Sequence, residues 1–130
     1  MYTIGAAAKK TDMPIKTIRY YSDIGLVMPC GHSDKGYRLY DDRALRRLIF
    51  VRRARAFGFS LKTCRNLLAL YSDQSRASAD VKAITIDHIS EIDSKLRELQ
   101  TLRDELALLA NSCTGDERAD CPILTGLAAP

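Results

Sequence analysis

The 130-residue sequence has no apolar run approaching the roughly 18 residues that a membrane-spanning helix needs. Its opening stretch, MYTIGAAAKKTD, lacks the order of basic, apolar and cleavage regions that marks a secretory signal. These absences predict a cytoplasmic protein with no membrane partner. Structural disulfides are rare in the cytoplasm, which weakens a structural disulfide as the interpretation of Cys113 and Cys121.

The sequence also has little of what catalysis requires. Its two histidines, His32 and His88, lie far apart, and no phosphate-binding glycine loop or nucleophile motif is present. We therefore expect the chain not to be an enzyme.

Charge is distributed unevenly along the chain. Residues 1–60 contain 12 Lys and Arg and 5 Asp and Glu, a net of +7, whereas residues 61–130 contain 8 and 11, a net of −3. A basic front half favours a polyanionic partner, although solvated surfaces are often basic too.

Two short helices are predicted near the N-terminus. Thr3 is a suitable N-cap for a helix over about residues 3–10, and Pro14 suits the first turn of a helix over about 14–24, which Gly25 ends. Two helices around a tight turn outline a helix-turn-helix, in which the second helix lies in the DNA major groove. An ordinary helical hairpin with a basic surface is the alternative.

The second helix is predicted to have two faces. Ile15 and Ile18 are expected to point one way, and Lys16, Arg19 and Tyr20 another. On a reading helix, Arg19 is able to reach a base edge or a phosphate.

Residues 27–40 are predicted to form a small hairpin, because glycines and a proline punctuate them and YRLY alternates like a short strand. Such a hairpin after a helix-turn-helix is called a wing. Lys35, Tyr37 and Arg38 would lie on it, near backbone phosphates. We assign Arg38 to DNA and Tyr40 to packing.

Two further helices complete a predicted DNA-binding domain over residues 1–72. Asp41 or Asp42 is expected to cap a helix over 42–57, and Ser60 a helix over 60–72. Cys64 falls on the apolar face of the latter and is interpreted as a core residue. Cys30, in the hairpin, has no evident partner in the sequence.

The longest periodic segment covers residues 78–111. From Ile89 onward its apolar residues recur at steps of three and four, close to a heptad seam. A helix of this length would expose that seam, so a second copy of the chain is the expected partner. A helix folded back on its own domain is the alternative. Residues 112–130 are predicted to be a metal-binding loop and a C-terminal tail, in which LTGLAAP (124–130) forms a short cap and a loose end.

The chain resembles the MerR family of bacterial transcription regulators over essentially its whole length. The resemblance is carried by TIRYYSDIGL (17–26), GYRLY (36–40) and RRARAFGFSL (52–61). It implies a mainly α fold: a winged helix-turn-helix, a long antiparallel coiled-coil dimerisation helix, and a C-terminal metal-binding loop. It also implies that Lys16, Arg19, Tyr20, Tyr37, Arg38 and Arg55 match positions that contact DNA.

The C-terminal third is similar to the copper(I)-sensing branch of that family, through SADVK (78–82), ALLANSC (107–113) and GDERADCPI (115–123). The resemblance implies a homodimer on a palindromic promoter with an unusually long spacer. Metal binding would distort that DNA, so that RNA polymerase starts transcription of copper-export genes.

The chemistry of Cys113 and Cys121 agrees with a soft monovalent ion. Cu(I) accepts two thiolates, whereas zinc usually takes four ligands. The family's divalent sensors tend to have a thiolate where this chain has Ser78, which favours Cu(I), Ag(I) or Au(I). Lys82, one turn later, would offset the negative charge of the site, or is a plain surface lysine. Zinc or mercury sensing and reversible thiol oxidation are the alternatives on the same fold, and a metal-binding adaptor without DNA is another.

Overall fold

The computed structural model describes residues 1–117 and 119–130 and is mainly helical, which confirms the predicted fold class. Two compact units are present, Met1–Val81 and Lys82–Pro130. The elements in chain order are β1 (Tyr2–Thr3), α1 (Ile4–Thr11), α2 (Ile15–Asp23), β2 (Gly31–His32), β3 (Arg38–Tyr40), α3 (Asp42–Ala56), α4 (Leu61–Ser72), α5 (Ser78–Ser112) and α6 (Pro122–Ala128).

Side-chain caps set where three of the helices begin. The side chain of Thr3 accepts from the Ala6 amide at the start of α1, and Ser60 accepts from the Thr63 amide at the start of α4. Of the two candidates for α3, Asp41 is the cap. Each cap satisfies an amide that has no partner within the helix. The bounds predicted for the five helices differ by at most one residue from those of α1 to α5.

The first unit is held together by one apolar core. Its fully buried large side chains include Ile18 of α2, Tyr40 of β3, Leu48 of α3 and Leu68 of α4. Cys64 is completely buried among them, as predicted. Of the two isoleucines of α2 that were expected to point the same way, Ile18 is fully buried, whereas Ile15, the first residue of the helix, is exposed.

The wing is a three-stranded antiparallel sheet in the order β1-β3-β2. Leu39 in the central strand faces Thr3 on one side and Gly31 on the other. β1 was not predicted, since two residues carry no periodic signal. The sheet buries Tyr40 completely, so its assignment to packing is confirmed.

The second unit contains most of α5 and all of α6, and none of its described residues is buried. The seam of α5 lies in solvent, as Ile89, Ile92, Leu96, Leu99, Leu102 and Leu106 are all exposed. No helix among the residues described is both long enough and apolar enough to cross a bilayer.

A further helix, α6 (Pro122–Ala128), extends into the segment 124–130 that was expected to be a short cap and a loose end. Pro122 suits the first helical turn because it has no amide hydrogen to leave unpaired. The Thr125 amide donates to the Cys121 carbonyl at 3.1 Å. Gly126 packs so closely on Leu109 of α5 that any Cβ would collide with the leucine side chain.

Candidate DNA-binding surface and metal-binding loop

Helix α2 divides its side chains between core and solvent. Ile18 and Tyr21 are buried, whereas Lys16, Arg19 and Tyr20 are exposed on the other side. The helix thus presents one cationic and aromatic face, of the composition that phosphates and base edges attract.

A first concavity, of about 370 Å³, brings together three of the predicted DNA-contacting residues: Lys16 and Tyr20 of α2 and Arg55 of α3. Arg55 donates to the Phe59 carbonyl at 2.8 Å, which holds its guanidinium at the end of α3. Burial raises the pKa of the neighbouring Tyr21 hydroxyl, and Arg55 beside it acts in the opposite direction. The fold therefore joins residues that are about forty positions apart in sequence.

A second concavity, of about 190 Å³, brings Arg19 of α2 beside Tyr37 and Arg38 of the wing. Arg38 forms an ion pair with Asp23 at 2.8 Å and donates to the Arg19 carbonyl at 3.3 Å. Arg38 thus ties the wing to α2 and still has other N–H donors for a phosphate, since a guanidinium carries five.

Lys35 lies in the turn of the wing and lines neither concavity. The turn is closed by the Tyr37 amide, which donates to the Ser33 side chain at 3.1 Å, and Gly36 adopts a φ of +82°. Lys35 is exposed at the tip of the wing.

Two residues that hold groups of this surface in place were not predicted from the sequence. Asp23 holds Arg38, and Arg65 of α4 donates to the carbonyls of Ile24 and Gly25 at 2.8 and 3.1 Å. A signal for Asp23 existed: a carboxylate at the C-terminal end of a helix opposes the helix dipole and so indicates a cationic partner elsewhere. No local signal identifies Arg65.

The two loop cysteines lie where helices end and begin. Cys113 directly follows α5, and Cys121 directly precedes α6 as its N-cap residue. Both are half-buried free thiols. Among the residues described, no group of three or more His, Cys, Asp and Glu is arranged to hold a metal ion. Asp116 accepts a hydrogen bond from the Thr114 hydroxyl at 2.9 Å and is thereby engaged within the loop.

This donor set fits a soft ion of low coordination number. Two sulfur ligands suffice for Cu(I), whereas a structural zinc site would need two more ligands. Ser78 begins α5 and Lys82 follows one turn later, and both are exposed.

A helix-turn-helix, a wing and a long helix that follows them define a DNA-binding transcription regulator. The family model "MerR HTH family regulatory protein" matches residues 2–70, and the model "MerR, DNA binding" matches residues 45–109. The chain belongs to the MerR family, whose members act as dimers on promoter DNA, contact RNA polymerase and are not enzymes.

Relatives match nearly the whole chain. An uncharacterised HTH-type regulator of Pseudomonas aeruginosa is 51% identical and covers 97% of this chain and 96% of its own. The regulator HmrR of Rhizobium leguminosarum is 49% identical, with 96% of each chain covered. CueR of Salmonella typhimurium is 46% identical over 96% of this chain and 91% of its own.

Solved structures of the family share the fold. The lead(II) complex of PbrR691 from Ralstonia metallidurans has a TM-score of 0.85 at 36% identity, covering 98% of this chain and 100% of that one. The mercury(II) complex of MerR from Bacillus megaterium has a TM-score of 0.71 at 29% identity, covering 94% and 95%.

Proposed function

We propose that this regulator is a cytoplasmic copper(I) sensor. A homodimer binds a palindromic promoter site, Cys113 and Cys121 bind one Cu(I), and the bound dimer distorts the DNA so that copper-efflux genes are transcribed. Ag(I) and Au(I) are expected to substitute for Cu(I). The observation that carries this proposal is the pair of free, half-buried thiols that bracket the loop, with no larger ligand group among the residues described.

Similarity supports the copper-sensing branch. The relatives named HmrR and CueR match at 46–49% identity over nearly the whole chain. The lead(II) complex of PbrR691 supports the alternative of a divalent ion, at a lower identity of 36%. The ligand set of this chain supports the monovalent ion, because Ser78 stands where the family resemblance implies that divalent sensors tend to have a further thiolate.

The net charge of the ion with its two thiolates is compatible with a monovalent ion only if nearby positive groups compensate it. Cu⁺ with two thiolates carries −1, and a buried net charge is costly without a partner. In the proposed dimer the start of the partner's α5 lies against the loop and supplies two compensating elements, the positive end of the helix dipole and the ammonium group of Lys82. The exposed seam of α5 provides the apolar face for the antiparallel pairing.

DNA binding is assigned to the two concavities. Lys16, Arg19, Tyr20, Tyr37, Arg38 and Arg55 contact the backbone or base edges there, and Lys35 reaches a phosphate from the tip of the wing. The affinity for the operator should therefore fall steeply with salt, because each neutralised phosphate releases counterions.

The metal proposal is tested by titrating the protein with Cu(I), Zn(II) and Pb(II) against competing chelators. We expect the tightest binding for Cu(I). Cys113→Ser and Cys121→Ser should each abolish copper-dependent transcription while leaving operator binding intact. Cys64→Ala, which removes a thiol from the core, serves as the matched control and should still respond. Tight zinc or lead binding with weak copper binding, or activation by both serine variants, would disprove the assignment.

Ser78→Cys tests the basis of selectivity. A third thiolate should raise the affinity for Zn(II) and Pb(II) by at least about tenfold, since one added ligand completes a site closer to what those ions prefer. Unchanged divalent affinity would show that Ser78 does not lie near the ion. The alternative of thiol oxidation predicts activation by an oxidant without metal, measured in the same transcription assay.

A further inference from the structure

The sulfur atoms of the chain are unevenly placed. There are 3 methionines and 4 cysteines. Met13 and Cys64 are buried in the core, and Cys113 and Cys121 form the loop pair. The three that remain, Met1, Met28 and Cys30, are all exposed and lie around the base of the wing.

The sulfurs of Cys30 and Met1 are in contact, and Met28 lines the same concavity as Cys30. Cys30 Sγ lies 3.1 Å from Met1 Sδ and 3.3 Å from the Leu39 carbonyl oxygen. Cys30 and Met28 line the same concavity of about 310 Å³. Thus the Cys30 thiol is in contact with one thioether, that of Met1, and a second thioether, that of Met28, borders the concavity that Cys30 lines.

We propose that Met1, Met28 and Cys30 form a second site for a soft monovalent ion, Cu(I) or Ag(I). Thiolates and thioethers are the ligands that select Cu(I), whereas Mg²⁺ and Ca²⁺ require oxygen. The one carboxylate that lines the concavity, Asp41, accepts from the Ala44 amide at 2.8 Å as the cap of α3. On binding, the Cys30 thiol releases its proton to solvent, and the thiolate and the ion together are neutral.

An ion bound at this site and an ion bound at the loop pair form complexes of different net charge. They therefore differ in whether a compensating cation is needed nearby. A neutral complex needs no compensating cation, in contrast to the −1 of an ion on two thiolates. Arg43 and Arg47 line the same concavity and would repel a dication more strongly than a monovalent ion. Both features favour Cu(I) or Ag(I) over Zn(II).

The sulfurs need only a small adjustment to accept the ion. With metal–sulfur bonds of about 2.3 Å, two sulfurs on one ion lie roughly 4.0–4.6 Å apart for trigonal to linear geometry. The observed 3.1 Å contact between Cys30 and Met1 must open by about 1 Å. Met1 is 79% exposed and Met28 58% exposed, so both side chains are free to move by that distance.

An ion here would join the edges of the wing. Met1 immediately precedes β1, and Cys30 immediately precedes β2, and these strands flank β3 on opposite sides. Binding should therefore stabilise the first unit against unfolding, because a ligand that binds only the native state raises its stability.

The test uses the Cys113→Ser/Cys121→Ser protein without a tag added before Met1, since a tag there would crowd the proposed site. Titration with Ag(I) against a competing chelator should reveal one remaining equivalent and a rise in Tm. Adding Cys30→Ser should lower that affinity by at least about 100-fold, and Met28→Leu instead by about tenfold. X-ray absorption of the Cu(I) form should show sulfur as the coordinating element, with one sulfur fewer in Met28→Leu.

Cys64→Ala in the same background is the matched control and should keep the equivalent. The proposal is overturned if the double serine variant binds no Ag(I), if binding survives Cys30→Ser, or if Cys64→Ala removes it. This result is independent of the sensing proposal, which depends on transcription through the loop cysteines. Either one is able to fail while the other holds.

Discussion

The two units of this chain differ in how much apolar surface they bury. Met1–Val81 buries a core drawn from α1, α2, β3, α3 and α4, whereas the described residues of Lys82–Pro130 bury nothing. The first unit therefore folds on its own contacts. A 35-residue helix with an exposed apolar seam gains most of its stability from packing against another surface, so the second unit depends on a partner.

Charge divides at the same place. The first unit holds 15 Lys and Arg against 7 Asp and Glu, a net of +8, and the second holds 5 against 9, a net of −4. Attraction to the DNA polyanion belongs to the first unit.

The largest effect is expected from Leu99→Asp on the seam of α5. A carboxylate in an apolar dimer interface should weaken dimerisation by at least about 100-fold, because a charge cannot be buried unpaired. Sedimentation equilibrium measures it, with Ser94→Asp on the opposite side of α5 as the control. Equal dimerisation of both variants would show that the seam is not the interface.

Next in size is Leu48→Ala, in the core of the first unit. Leu48 is fully buried, and emptying such a site costs about 2–5 kcal/mol of unfolding free energy. The matched control is Leu108→Ala, which is 70% exposed and should change stability by at most about 0.5 kcal/mol. Urea denaturation compares them. Similar losses in the two would contradict the contrast between the units.

Alkaline pH should destabilise the first unit. Burial raises the pKa of Cys64 and of Tyr21, so the folded state retains protons that the unfolded state releases. This stability is complete below the ordinary pKa of each group and falls as pH rises through it, from about 8.5 for a thiol and about 10 for a phenol. Thermal melts from pH 7 to 10 measure it, and Cys64→Ala should flatten the lower part of the profile. If Cys64→Ala left the slope of Tm against pH unchanged, the Cys64 thiol would not be a cause of the alkaline destabilisation.

The smallest effect is expected for Asp23→Asn. Its pair with Arg38 is partly exposed, and such pairs contribute up to about 1 kcal/mol. The loss should be measurable by urea denaturation at low salt and should shrink at 0.5 M NaCl or so, because surface charges are screened. The Asp34→Asn variant in the wing turn controls for net charge. A loss that does not change with salt would mean that the carboxylate acts sterically.

The elements that could be predicted from the sequence are those with a local physical cause. Thr3 and Ser60 begin helices because their side chains satisfy neighbouring amides, and Cys64 is buried because its helix is apolar on that face. β1 and the links made by Asp23 and Arg65 depend on tertiary contacts, which no local pattern contains. The helix after Cys121 was not predicted either, because it depends in part on the close packing of Gly126 on Leu109, which is a tertiary contact. The contact between Met1 and Cys30 also depends on tertiary structure, so no local pattern predicts it.

Within the first unit, Arg65 connects α4 to the end of α2. The Arg65 guanidinium, on α4, donates to the carbonyls of Ile24 and Gly25, which directly follow α2. Cations are favoured at this C-terminal end of a helix. Arg65 therefore adds a polar connection between α4 and the end of α2 to the apolar core that both helices share. Shortening the Arg65 side chain would remove this connection while leaving the hydrogen bonds within each helix in place.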